Sequence, residues 1–81
     1  MHASLKGADV QRKPTDQLCL LARCGGSIAL YADTRPTEDL IQIARDLRPG
    51  ATLALSGMAM RPIDDLCRIA EAAPGQVSFA G

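Results

Sequence analysis

The chain writes nearly the same phrase three times: KPTDQLCLLARCGG (13–26), RPTEDLIQIARDLRPG (35–50) and MRPIDDLCRIAEAAPG (60–75). Aligned on Pro14, Pro36 and Pro62, each copy has a base before the proline (Lys13, Arg35, Arg61) and an acid two residues after it (Asp16, Glu38, Asp64). A leucine follows (Leu18, Leu40, Leu66), then an apolar pair (Leu21–Ala22, Ile43–Ala44, Ile69–Ala70), and each copy closes on Gly25, Pro49-Gly50 or Pro74-Gly75. No other feature constrains the fold as strongly. A repeated phrase folds into a repeated unit, and one such unit cannot bury its apolar face alone.

Each part of the phrase has a local physical reason. Proline suits the first turn of a helix, where its missing N–H leaves no bond unmade. Early acids complement the positive end of the helix dipole. Apolar residues at the spacing of Leu40, Ile43, Ala44 and Leu47 form one buried stripe. Glycine then stops the helix. The pattern predicts helices near 14–24, 36–47 and 62–73.

Between them, SIALYA (27–32), TLALSG (52–57) and QVSFAG (76–81) alternate apolar and small or polar residues, which reads as strand with one face buried. ASLK (3–6) reads as a weaker first strand. The strand centres Leu5, Leu30, Leu55 and Phe79 recur about every 25 residues. The expected order is β-α-β-α-β-α-β in one domain, 1–81. Parallel strands joined by helices cross over right-handed, so neighbouring strands in sequence put every helix on one face. The other face would carry Ser4, Lys6, Ala29, Tyr31, Ala54, Ser56, Ser78 and Ala80, too small and polar for a sheet covered on both sides. The expectation is a parallel sheet with helices on one face, a leucine-rich-repeat-like stack. The alternative is a small open α/β sheet, doubly wound.

With LCRIAEAAPGQVSF (66–79) and LKGADVQRKPTDQLCLLA (5–22) in view, the chain resembles short bacterial βα-repeat proteins of uncharacterised function. Their helices read L-x-x-I-A and lead through a glycine into a G-x-V-x-F strand. The resemblance covers nearly the whole chain. It implies the fold and no activity, because its motifs are structural.

Composition narrows function by exclusion. Nine basic and nine acidic residues cancel, which gives no global attraction to nucleic acid or to an anionic membrane. Tyr31 and Phe79 are the only aromatics, so a stacking pair for bases is not expected. No leader-like apolar segment stands at the N-terminus, and Leu18–Ala22 is too short to span a bilayer. Cys19, Cys24 and Cys67 are odd in number and form no CxxC, which fits a reducing, cytoplasmic compartment. Cys19 and Cys67 share a position that Ile41 fills in the middle copy, so they are expected as packing residues. Cys24 is expected half exposed at a helix end. His2 is the lone histidine, which leaves no histidine-based triad or metal set.

Asp16, Glu38, Asp39, Asp64 and Asp65 read as first-turn residues. Asp9 and Asp33 follow strands and read as loop caps. The bases Arg12, Lys13, Arg35 and Arg61 gather near helix N-termini, an anion-binding setting, but among acids with which ion pairs between copies are expected. No glycine-rich phosphate loop, cofactor motif or catalytic constellation is present. The function expected is a small non-enzymatic protein-interaction or scaffold module. It would work through the open sheet face and terminal strand, at Tyr31, Ser56, Ser78 and Phe79, by binding a protein partner or by self-association. The alternative is a small-ligand or anion-binding protein at the carboxyl edge of the strands, using Arg35, Arg61 and Asp33.

Overall fold

The structure, a computed structural model, describes residues 13–80. The expected strand at 3–6, with His2, Asp9 and Arg12, lies outside the described residues, as does Gly81. Within them helix and strand alternate: α1 (Thr15–Arg23), β1 (Ile28–Tyr31), α2 (Thr37–Arg45), β2 (Leu53–Ser56), α3 (Ile63–Ala72) and β3 (Val77–Phe79). The strands form one parallel sheet in the order β1-β2-β3. This is a small α/β fold. Every observed element falls inside a segment that the periodicity predicts, shortened at its ends.

The helix starts differ by one residue from expectation. Pro14, Pro36 and Pro62 are the N-caps, in extended conformation, and the helices begin after them. Their carbonyls accept the first helical bonds, from Leu18 at 3.2 Å and from Leu40 and Leu66 at 3.3 Å. No side chain caps any of the three helices. The first helical residues Thr15 and Thr37 therefore keep their hydroxyls for other partners.

The sheet register matches the copies rung by rung. Ile28 pairs with Leu53 and Leu53 with Val77, while Leu30 pairs with Leu55 and Leu55 with Phe79. Ile28, Leu30, Leu53 and Leu55 join Leu18, Leu40, Ile43 and Ile69 from the helices in one aliphatic core. On the opposite face Ala29, Tyr31 and Ser78 are exposed, and Ala54 and Ser56 are half-buried. The helices thus cover one face of the sheet, and α2 packs between α1 and α3.

Burial at equivalent positions follows a direction. Four, five and eight residues after the proline, Leu18, Cys19 and Ala22 are buried in the first copy, as are Leu40, Ile41 and Ala44 in the second. In the third copy Leu66 and Ala70 are half-buried and Cys67 is exposed. Seven residues after the proline the order reverses: Leu21 is half-buried, whereas Ile43 and Ile69 are fully buried. The first three positions face the following copy and the last faces the preceding one. One expectation is corrected by this geometry: Cys67 is not a buried packing residue. Phe79, in register with the buried Leu55, is 37% exposed. Among the described residues no further helix or strand covers them.

Candidate functional site

The charged part of the phrase is a clasp between copies. Thr15 donates its hydroxyl to Asp39 Oδ2 at 3.0 Å, and the Thr15 oxygen accepts from Arg35 Nη1 at 3.1 Å. One copy later the arrangement recurs: Thr37 donates to Asp65 at 3.2 Å and accepts from Arg61 Nη1 at 2.7 Å. Each guanidinium also reaches the preceding backbone. Arg35 Nη2 donates to the Lys13 carbonyl at 2.7 Å, and Arg61 Nη2 donates to the Ala32 carbonyl at 2.6 Å and to that of Arg35. Arginine suits this place because its planar fork aims several donors at once.

The far ends of the copies are tied in the same direction. Arg48 Nε donates to the Arg23 carbonyl at 2.8 Å, and Gln76 Nε2 to those of Arg48 and Ala51 at 2.7 and 3.0 Å.

The bases were expected to form ion pairs between copies. Arg61 instead bonds a hydroxyl and two carbonyls, while Arg68 pairs with Glu38 at 2.9 Å and Arg23 with Asp46 at 3.3 Å across copies. Arg35 and Arg61 do come to one edge of the sheet, as the anion-binding alternative requires, and both are half-buried. Asp33 is exposed in the turn after β1. A groove of about 620 Å³ on the outer side of α2 and α3 is lined by Glu38, Asp39, Arg45, Arg68 and Glu71. Its charges are of both signs, which gives no single field to attract a charged ligand.

Cys19 is chemically quiet. Burial pushes its thiol up to about 11 from the ordinary 9.0, and both a hydrogen bond to Asp46 and the charge of that carboxylate push the same way. The unfolded chain releases this proton first, so the stability held by the protonated thiol is complete below pH 9.0 and is lost as pH rises to about 11. A shift of this size corresponds to about 2–3 kcal/mol. Urea unfolding of the wild type should therefore show a steeper fall in stability across that window than Cys19→Ala. Equal slopes would contradict the assignment. Cys24 and Cys67, both exposed, should alkylate in the folded chain.

Of the residues expected on the open face, Tyr31 is 53% exposed. Its ring lies against Gly57, where a Cβ would come within 2.7 Å of Cε1; with φ at +74° as well, only glycine fits there. Ser56 donates its hydroxyl to the Leu30 carbonyl at 3.4 Å. Ser78 and Phe79 line a shallow groove of about 210 Å³ with Ala29, Ala54 and Ala80. The structure brings Ser56, Ser78 and Phe79 to that groove and leaves Tyr31 beside Gly57.

The residues that sequence reasoning missed belong to α3. Ile63 stands where the earlier copies have Thr15 and Thr37, and it is 69% exposed. With Cys67 and Ala70, at helical spacing along α3, it makes an uncharged stripe. Leu66, Val77 and Phe79 lie beside that stripe, each only partly covered. A signal was present in the alignment. The first copy has Lys13 and Gln17 where the later ones have the clasping Arg and Asp, and the third has Ile63 where they have Thr. The clasp residues are missing where the described structure offers no copy to clasp.

Among the described residues no cluster of three His, Cys, Asp or Glu side chains is placed to hold a metal ion. No helix among them is long and apolar enough to cross a membrane. Comparison of the chain with protein-family models, curated proteins and solved structures finds no match.

Proposed function

We propose that this chain is a small non-enzymatic interaction module. It is a leucine-rich-repeat-like stack of βα layers of about 25 residues, and it meets a protein partner, or another copy of itself, through the surface of its last layer. One observation carries the reading: positions buried in the first two copies are less covered in the third, where Leu66 and Ala70 are half-buried and Cys67 and Phe79 are exposed, as is Ile63 on the same helix. A contiguous exposed apolar patch beside an open strand edge is the usual mark of an association surface. The three free thiols support a cytoplasmic setting.

The anion-binding alternative has in its favour the convergence of Arg35 and Arg61 at one sheet edge. Against it stand the hydroxyl and carbonyls that already occupy Arg61 and the acids Asp39 and Asp65 on the same threonines. Titration of the 15N-labelled chain with inorganic phosphate separates the two. The module reading expects the backbone and guanidinium resonances of Arg35 and Arg61 to stay in place. Localised, saturating shifts at both would overturn it in favour of the alternative.

A further inference from the structure

We infer that the last layer is the seat of a two-fold homodimer, in which β3 pairs antiparallel with the β3 of a second copy and the two α3 helices lie side by side above that seam. The inference rests on the interaction-module reading and names its partner.

What covers this face is first restricted by the clasp. Another copy of the phrase stacked in the same direction would bring an Arg and an Asp to a threonine that is not there, because Ile63 occupies the place. Head-to-tail addition of a second molecule is disfavoured twice over, since its first copy offers Lys13 and Gln17 instead of that Arg and Asp.

A two-fold contact makes neither demand. It asks that one patch fit itself. The stripe Ile63, Cys67 and Ala70 is uncharged, so superposing it on its own copy opposes no like charges at the centre. Cys67 and Ala70 are small enough to let two helices approach closely.

The backbone fits as well. The Gln76 carbonyl accepts from Leu53 N–H of β2 at 2.8 Å, and Ala80 N–H donates to the Leu55 carbonyl of β2 at 2.7 Å. Along a parallel strand alternate residues point to alternate sides, so Val77 and Phe79 present theirs at the edge of β3 that no described strand pairs. Across a two-fold axis at Ser78, Val77 N–H meets the carbonyl of the second copy's Phe79, and Phe79 N–H meets that of its Val77. Both unpaired edges close at once. The same register lays each Phe79 ring beside the opposite Val77 and covers both. Because α3 runs back over β3, the axis passes near the middle of α3, at Cys67.

The patch holds about six side chains and a three-residue strand edge, which is roughly half of the ~800 Å² per partner of a standard interface. It fits a weak, concentration-dependent dimer. Asp64 and Glu71 rim the stripe on its solvent side and are exposed. Four carboxylates along the seam oppose association, so added salt should tighten the dimer rather than loosen it.

The experiment combines sedimentation of the full chain over a concentration series with a short bismaleimide cross-linker. The expected result is a monomer–dimer equilibrium strengthened by salt, and severalfold tighter in Asp64→Asn/Glu71→Gln. Cross-linked dimer should form in the wild type and in Cys24→Ser but not in Cys67→Ser. Ile63→Asp should abolish dimer while staying folded, because its position is exposed and an acid is favoured in a first helical turn. A chain that stays monomeric at every concentration would overturn the homodimer and leave the last layer to a different protein. A dimer that links through Cys24, survives Ile63→Asp, or weakens in salt would overturn the homodimer and the last-layer reading together.

Discussion

Leu40→Ala should lower the unfolding free energy by about 3 kcal/mol, and Leu66→Ala by about half as much. The two leucines hold the same place in the repeated phrase, four residues after a proline, and differ in what lies beyond them. Leu40 is fully buried, with α3 on its far side, whereas Leu66 is only half-buried. Truncation at Leu40 removes the side chain from a closed space and leaves a cavity that its neighbours can fill only in part. At Leu66 water already reaches the side chain, so both the lost burial and the cavity are smaller. A small domain of this length holds roughly 4–12 kcal/mol in total, so the Leu40 change should lower the melting temperature by about 15 °C. Urea unfolding of the dilute chain, followed by circular dichroism, measures both. Equal losses at the two positions would mean that the third copy is covered as fully as the second.

Arg61→Ala is the second large effect, with an expected loss of about 3 kcal/mol. Its guanidinium joins the third copy to Thr37 and to the carbonyls of Ala32 and Arg35. Hydrogen bonds from a charged donor contribute about 1.5–3 kcal/mol each in favourable cases, and acceptors left partly buried without a donor add to the loss. Partial exposure reduces the sum, because water replaces some of the bonds. Arg61→Lys should recover less than half, since one ammonium cannot serve three acceptors spread over two segments. Arg45→Ala, on the exposed side of α2, should stay within about 0.5 kcal/mol of the wild type.

The alternating helices and strands were legible because the two periods switch cleanly. The stripe of Leu40, Ile43, Ala44 and Leu47 gives way to the alternation of Leu53 and Leu55, and glycine marks the boundary. The parallel register was legible because the strands recur at nearly equal spacing, with Leu30 opposite Leu55 and Leu55 opposite Phe79. The clasp was not. Arg35, Asp39 and Thr15 sit in two different copies, and a helix-start reading explained each of them separately. Which atoms meet depends on the offset between adjacent helices, which a one-dimensional pattern does not contain. The exposure of Cys67 was hidden by the very equivalence that made Cys19 a packing residue: an identical position in the phrase is buried only where another copy follows. Ile63 was the readable sign of that difference.

The central claim is that the charged part of the phrase joins copies to one another, which leaves association to the surface of the third. A double-mutant cycle across Arg61→Ala and Thr37→Ala tests it most directly, because the two groups meet at 2.7 Å across successive copies. The account predicts a coupling of about 1–2 kcal/mol, with the double variant losing less than the sum of the single losses. Losses that add to within about 0.3 kcal/mol would contradict it.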